Sequence, residues 1–227
     1  MATRPHPVQL LAGSPGTRSD YRPVIADVLR RSGKEKPLVA YLGAATDDDP
    51  RFLGWMKELV TSAGPCTFRL APVAGRKAAG GAARGVIEAA DVVFVGGGDV
   101  ELGMQRLLER DLVGPLGEKH RSGAPVFGIS AGAILLAHRW IRWRDPDDEA
   151  SAELFDCLGL APVLCDCHGE GDGWAELKAL LALVGGRSLG HGLRAGSAIR
   201  VAGDGSVETA CAKVDRFRVQ GGKVVAV

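Results

Sequence analysis

The sequence predicts an α/β fold in which a doubly wound, mostly parallel sheet ends in antiparallel strands. Short apolar segments alternate along the chain with segments whose apolar residues follow helical spacing. The apolar segments are hydrophobic on both strand faces, which is typical of parallel strands covered by helices on both sides. Towards the end of the chain, alternating segments separated by glycine turns indicate antiparallel hairpins. A length of 227 residues favours a single domain over residues 1–227.

Four apolar runs predict the parallel strands of this sheet. They lie at residues 8–12, 38–42, 92–95 and 126–129. Between them, apolar residues at helical spacing predict helices over 21–29 and 52–60. Asp49 and Pro50 suit the cap and the first turn of the second helix. The order of strands and helices implies right-handed crossovers.

Two glycine-rich regions have different interpretations. The stretch 75–85 leads into a predicted helix over 82–90, so it is not a linker. Near the end of the chain, Asp204-Gly205 is a hairpin signal between alternating segments. We expect antiparallel strands at one edge of the sheet, over residues 197–202, 206–210 and 214–227.

Composition excludes some classes of partner. The chain has 28 Lys and Arg against 27 Asp and Glu, a formal net charge of +1, so it lacks the positive field that nonspecific binding to nucleic acid or anionic membranes needs. Five cysteines cannot all pair internally, which favours reduced thiols and a cytoplasmic location. The first residues carry no apolar run of signal-peptide length, and no run reaches the length of a membrane span.

The motif Gly128-Ile129-Ser130-Ala131-Gly132 follows the predicted strand 126–129 and comes before an apolar, helix-like segment. This is the G-x-S-x-G pattern between a strand and a helix. Such an elbow holds the serine in a strained conformation with Oγ exposed, and its small flanking residues avoid a clash. The motif predicts a nucleophile at Ser130; the alternative is a helix start without chemistry.

The loop Gly96-Gly97-Gly98-Asp99 follows the predicted strand 92–95. Loops at the carboxyl ends of parallel strands meet at the ligand crevice, so we expect this loop beside Ser130. A backbone N–H of the loop, together with that of Ala131, would form a two-donor oxyanion hole. The spacing matches neither dinucleotide- nor phosphate-binding motifs, and a plain tight turn stays open as an alternative.

His168 is the best placed of the five histidines to act as a base. It follows the apolar run 163–167, again at the carboxyl end of a predicted strand. Cys165, Asp166, Cys167 and His168 also resemble a metal cluster, but strand alternation puts the cysteines on one face and Asp166 with His168 on the other. We therefore predict buried structural thiols, no metal site and no cofactor.

Together these three motifs resemble the serine peptidases that include dipeptidase E and the cyanophycinases. The resemblance covers most of the chain, and it implies a flavodoxin-like sheet related to class I glutamine amidotransferases. It implies Ser130 as the nucleophile and His168 as the general base. The amides of Gly98 and Ala131 are then the implied oxyanion hole.

The same resemblance implies further site residues. A third triad member is expected in the segment after the nucleophile helix, where Asp145 is the nearest match; a solvated acidic turn is the alternative. Asp166 matches an acidic position that lines the pocket of cyanophycinases, and Asp99 is a second predicted substrate contact. Two features differ from the family pattern. Gly169 stands where an aromatic residue is usual, and the arginines that recognise cyanophycin are missing.

We therefore predict a peptidase that cleaves short peptides through an acyl-enzyme on Ser130. An esterase-like hydrolase is an alternative, because G-x-S-x-G is shared with α/β-hydrolases. An inactive binding protein on the same scaffold is another, because the residues after His168 are altered. The expected partner is a small peptide, without nucleic acid or membrane, and a homodimer is compatible with the sequence.

Overall fold

A computed structural model of the protein describes residues 5–13, 20–75, 78, 81–145 and 147–227. Four residues of the glycine-rich stretch 75–85 lie outside the described residues: Arg76, Lys77, Ala79 and Gly80. The strands, in chain order, are β1 (Val8–Leu11), β2 (Leu38–Leu42), β3 (Thr67–Leu70), β4 (Val92–Val95), β5 (Val126–Ile129), β6 (Arg139–Trp143), β7 (Ala152–Asp156), β8 (Leu164–Cys167), β9 (Leu189–Leu193), β10 (Ala198–Val201), β11 (Val207–Cys211), β12 (Val214–Gln220) and β13 (Lys223–Ala226). The helices are α1 (Arg22–Arg31), α2 (Pro50–Thr61), α3 (Ala82–Ala89), α4 (Val100–Glu109), α5 (Val113–Arg121), α6 (Ala131–Leu136) and α7 (Ala175–Val184).

The main sheet of the described residues has the strand order β11-β10-β1-β5-β4-β2-β3. The five strands from β1 to β3 in this order pair in parallel, whereas β10 is antiparallel to β1 and β11 is antiparallel to β10. The predicted α/β class is therefore confirmed, with its mostly parallel sheet and antiparallel strands near the end of the chain. The four predicted parallel strands agree with β1, β2, β4 and β5 to within one residue.

Helices cover both faces of this sheet. Ile25 of α1 and Val60 of α2 join one apolar cluster, together with Phe94 and Phe127 of the sheet. Ile87 of α3, Leu107 of α4 and most of α6 join the other cluster, with Leu10 and Val95. Because successive residues of a strand face opposite sides, the two clusters lie on opposite faces. The Asp49 carboxylate caps α2 by accepting the N–H groups of Arg51 and Phe52, as predicted.

The structure corrects the prediction that all C-terminal strands lie at one edge of one sheet. Only β10 and β11 join the main sheet; β12 and β13 belong to a second sheet with the order β13-β12-β9-β8. Strand β12 lies in the second sheet because its side chains pack there: Phe217 is buried, and the centroid of its ring lies 6.4 Å from that of Trp174. Strands β6 and β7 form a separate hairpin. No helix among the described residues is both long and apolar enough to cross a lipid bilayer.

Candidate active site

Ser130 lies at the sharp turn between β5 and α6. Its backbone has φ 54° and ψ −125°, a region that residues other than glycine rarely occupy. Its N–H donates to the carbonyl oxygen of Leu11 at 2.8 Å, which ties the turn to the neighbouring strand β1. The predicted elbow is therefore present, with the backbone strain that the motif requires.

Two glycines leave room for this turn. A Cβ on Gly132 would lie 2.1 Å from the carbonyl oxygen of Val95, and one on Gly128 would lie 2.3 Å from that of Gly132. Both contacts are with backbone atoms, which cannot move aside as a flexible side chain can. The G-x-S-x-G spacing thus reflects close packing of β4, β5 and α6.

The glycine loop after β4 lies against the same turn, as predicted. A Cβ on Gly97 would meet the Cβ of Ser130 at 3.0 Å. Gly98 has φ 135°, and a Cβ there would lie 2.0 Å from the carbonyl oxygen of Ala45. That oxygen accepts the N–H of Asp99 at 2.8 Å. The single-turn helix Ala44–Thr46 therefore holds the glycine loop in place.

His168 reaches Ser130 from the second sheet. It follows β8, has left-handed backbone angles (φ 49°) and donates its N–H to the carbonyl oxygen of Leu193 at 2.8 Å. The left-handed residue ends the strand and turns the chain into the single-turn helix Gly169–Gly171. Nε2 of His168 lies 2.9 Å from Oγ of Ser130. The structure therefore brings together the predicted nucleophile and the predicted base, which are 38 residues apart in sequence.

A cavity of about 450 Å³ opens onto these two side chains. Gly98, Ala131 and Asp99 line it on the side of the main sheet, and Asp166 lines it beside His168. The hairpin β6–β7 contributes Trp140 and Trp143 as a wall. The cavity thus contains the predicted oxyanion-hole residues and both predicted substrate contacts, within reach of Ser130.

The two aspartates differ in environment. Asp99 is exposed, and its Oδ1 accepts the N–H of Leu102 at 2.7 Å as the cap of α4. Asp166 is only 4% exposed, and its Oδ1 accepts the N–H of Cys167 at 2.7 Å. Burial raises the pKa of the Asp166 carboxyl to about 7. No cation forms an ion pair with Asp166 in the part of the chain that the structure describes.

The arginines near the cavity are already engaged in ion pairs. Arg142 lines the cavity and lies 2.6 Å from Glu153 and 3.2 Å from Glu101. The pKa of the Arg142 guanidinium is raised, mainly by its hydrogen bond to Glu153. On the same hairpin, Arg139 forms an ion pair with Asp156, and Arg144 forms one with Glu153.

Asp145 is not brought to His168. It lies in the turn between β6 and β7, where its Oδ1 accepts the N–H of Asp147 at 3.0 Å and its carbonyl oxygen accepts the hydroxyl of Ser151 at 2.8 Å. Among the residues described, no hydrogen bond joins Asp145 to His168, and Asp145 does not line the cavity. Its role as the third triad member stays a prediction.

The residues around His168 explain why Gly169 replaces an aromatic residue. A Cβ on Gly169 would lie 2.8 Å from Oδ2 of Asp166 and 3.0 Å from the ring of Trp174. Trp174 is buried beside this position, and its Nε1 donates to Asp215 at 3.1 Å. The space for a side chain at 169 is therefore already filled.

Other chemistry-bearing groups have structural surroundings. Cys165 and Cys167 are buried, as predicted. In the described ranges, no group of three or more His, Cys, Asp or Glu side chains is arranged to hold a metal ion. His191 lies buried in β9, and burial lowers its pKa to about 4. Sequence reasoning missed β9 because its glycines on both sides of His191 hide the strand pattern.

Comparisons with known proteins show which family the chain resembles. The sequence profile of peptidase family S51 matches residues 9–209. Peptidase E of Actinobacillus pleuropneumoniae serotype 5b (strain L20) is 28% identical over 129 residues, 53% of this chain and 55% of that protein. Peptidase E of Haemophilus influenzae (strain ATCC 51907 / DSM 11121 / KW20 / Rd) is 30% identical over 126 residues, 52% of this chain and 57% of that protein. The aligned part thus spans about half the length of these relatives.

The fold has a solved counterpart as well. The crystal structure of a peptidase from an acI-B1 Actinobacterium superposes with a TM-score of 0.70 and 15% sequence identity, covering 100% of this chain and 98% of that one. At this identity the likeness concerns the fold alone. The profile match extends over most of the chain, from β1 to β11, and includes Ser130, His168 and every residue that lines the cavity. The chain therefore belongs to peptidase family S51.

Proposed function

We propose that the protein is a serine-type peptidase that hydrolyses short peptides through an acyl-enzyme on Ser130. The observation that carries the proposal is the 2.9 Å contact between Oγ of Ser130 and Nε2 of His168. It occurs at a strained elbow that opens onto a cavity. A serine hydroxyl is a weak nucleophile until a base accepts its proton, and this contact is within the range for such a transfer.

In this mechanism His168 accepts the proton of the Ser130 hydroxyl while Oγ attacks the scissile carbonyl carbon. The carbonyl oxygen becomes an oxyanion, which the N–H groups of Gly98 and Ala131 stabilise by hydrogen bonds. His168 then gives its proton to the leaving amine as the peptide bond breaks. A water molecule, deprotonated by His168, releases the acyl group and restores the Ser130 hydroxyl.

The size and walls of the cavity support a short substrate. Its volume of about 450 Å³ is at the lower end of the range for small-molecule sites. The Trp140 and Trp143 side chains line it from the hairpin, beside the ion pairs of Arg142. Such walls suit a peptide of few residues better than an extended chain.

The test is the hydrolysis of a panel of dipeptides by the wild type and by Ser130→Ala. We expect the variant to lose hydrolysis and to keep its fold, measured by circular dichroism. Ser62→Ala is the matched control, because Ser62 lies at the exposed end of α2 and its Oγ donates to the Leu59 carbonyl. Full turnover by Ser130→Ala would refute the proposal.

Two further measurements separate the alternatives. An esterase-like enzyme would turn over p-nitrophenyl acetate far better than any dipeptide, whereas the proposed peptidase prefers the peptides. A fluorophosphonate probe reacts only with an activated serine, so labelling at Ser130 argues against an inactive binding protein. Labelling that persists in His168→Ala would contradict the role of His168 as the base; His138→Ala, at an exposed position, is its control.

A further inference from the structure

The imidazole of His168 has a second ring nitrogen to satisfy. When Nε2 accepts the proton of Ser130, Nδ1 carries a hydrogen and needs an acceptor. In serine hydrolases a carboxylate in this position fixes the tautomer and stabilises the charged imidazole. The inference below concerns that carboxylate and rests on the proposed function of Ser130 and His168.

Glu170 is tethered to the same short segment as His168. It follows His168 by two residues, in the single-turn helix Gly169–Gly171. Its Oε1 accepts the N–H of Ala195 at 3.0 Å, and the N–H of His168 donates to the carbonyl oxygen of Leu193 at 2.8 Å. Both residues are therefore fastened to residues 193–195, at the end of β9.

The other oxygen of this carboxylate is unused. Oε2 of Glu170 is buried and has no hydrogen-bond partner among the described residues. A buried carboxylate oxygen without a donor is unfavourable, so Oε2 of Glu170 is available to accept a hydrogen bond from a nearby donor. Among the described residues the neighbouring Arg194 forms no ion pair with Glu170; its guanidinium lies 2.7 Å from Asp215.

The carboxylate also lies within electrostatic reach of Cys167, a residue that contacts the elbow. Burial first of all, and then neighbouring charges that include Glu170, raise the pKa of the Cys167 thiol. The Sγ of Cys167 contacts the carbonyl oxygen of Ser130 at 3.6 Å. The charge of Glu170 therefore acts on groups that touch the elbow.

We propose that Glu170 is the positioning residue of this active site: its Oε2 accepts the Nδ1–H of His168 and holds the imidazole in the tautomer whose Nε2 faces Ser130. The structure has no hydrogen bond between these two atoms, and we expect it to form when substrate binds, because catalytic hydrogen bonds in unliganded enzymes are often long or poorly aligned. Asp145 is the rival for this role, and its Oδ1 already accepts the Asp147 N–H.

The experiment compares Glu170→Gln, Glu170→Asp and Asp145→Asn with the wild type. Gln keeps an oxygen for the Ala195 N–H and removes the charge; Asp keeps the charge on a shorter chain. Glu35→Gln, in an exposed loop, controls for the loss of one negative charge. The readouts are the rate of fluorophosphonate labelling from pH 5 to pH 9, kcat and KM on a cleaved dipeptide, and the downfield proton resonance of Nδ1–H of His168.

We expect Glu170→Gln to lower the labelling rate and kcat by about 100-fold or more, with KM changed less than about threefold, and to abolish the downfield resonance. Glu170→Asp should recover part of the rate and keep the resonance. Wild-type rates and resonance in Glu170→Gln would overturn the inference. So would a larger loss in Asp145→Asn than in Glu170→Gln, which would assign the role to Asp145.

Failure of this inference can be distinguished from failure of the proposed function. If the wild type labels at Ser130 and Glu170→Gln labels equally fast, only this inference fails; if the wild type neither labels nor cleaves any peptide, the proposed function fails. The resonance is read on the fluorophosphonate-labelled protein, which needs no catalytic turnover, so its absence from the labelled wild type also overturns the inference. If Glu170→Gln does not fold, the wild type labelled with carbon-13 at its glutamates is titrated with pH instead. The Glu170 carboxyl signal should shift at the same midpoint pH as the His168 imidazole, and a signal that does not follow this titration overturns the inference.

Discussion

Replacing Asp166 by Asn should change how stability depends on pH. Asp166 is 4% exposed, and its carboxyl pKa is raised to about 7 from the model-peptide value of 3.8, chiefly by burial. As pH rises, the unfolded chain loses this proton near pH 4, whereas the folded protein keeps it until about pH 7. The folded state therefore binds more protons in this window, and the free energy of unfolding falls as pH rises through it.

The magnitude follows from the two pKa values. Between these two values, the free energy of unfolding that Asp166 costs the wild type grows by about 1.4 kcal/mol for each pH unit. From pH 5 to pH 8 this cost grows by about 2.5 kcal/mol. Asn carries no charge at either pH and has an oxygen for the Cys167 N–H, which Oδ1 of Asp166 accepts at 2.7 Å. Steric or hydrogen-bonding costs of the Asn side chain are independent of pH, so they cancel in the comparison of the two conditions.

The assay is urea unfolding of the wild type, Asp166→Asn and the charge control Glu35→Gln at pH 5 and pH 8. We expect the stability of Asp166→Asn, relative to the wild type, to be about 2.5 kcal/mol more favourable at pH 8 than at pH 5. The control should show no such difference. Equal relative stability of Asp166→Asn at both pH values would refute the reasoning, because it would mean that the folded carboxyl titrates like the unfolded one.

Three further substitutions test other parts of the fold by urea unfolding. Gly132→Ala should destabilise the protein by about 3 kcal/mol, because its Cβ would lie 2.1 Å from the Val95 carbonyl oxygen; Gly54→Ala, with no atom nearby in α2, should stabilise it by about 1 kcal/mol, and equal effects would contradict the packing argument. Tyr41→Phe should leave stability unchanged or raise it by about 1 kcal/mol, since the buried hydroxyl has no partner among the described residues; a clear loss would reveal a missing hydrogen bond. As pH falls from 6.5 to 4, the unfolded His191 imidazole takes up a proton, whereas the folded one, with a pKa of about 4, does not, so the wild type loses stability. His191→Gln should lose about 3 kcal/mol less stability than the wild type over this range. An equal loss in both proteins would contradict this.

The elbow and the parallel strands could be predicted because their signals are local. Ser130 needs a strand before it, glycines beside it and a helix after it, and all of these lie within one short stretch of sequence. The apolar runs of β2, β4 and β5 are complete in themselves, since both of their faces are buried. His168 was found for the same reason, at the end of an apolar run.

The remaining features depend on contacts between distant parts of the chain. That His168 comes from a second sheet is decided by the pairing of β8 with β9 and by the packing of Trp174 on Phe217. No local pattern announces either contact. The segment around Asp145 was ambiguous because short polar side chains bond readily to nearby backbone, and here Asp145 binds Asp147. Glu170 was overlooked because it lies between glycines, in a stretch that suggested only a flexible turn.

The close backbone contacts at the elbow have a consequence for how the protein loses its function on heating. The carbonyl oxygens of Val95 and Gly132 lie directly against Gly132 and Gly128, so Ser130 cannot leave its strained conformation unless β4, β5 and α6 separate. These elements form the buried centre of the molecule, where opening requires global unfolding. Amide protons of residues 128–132 should therefore exchange with solvent only through global unfolding, and heat should inactivate the site at the temperature at which the whole sheet melts.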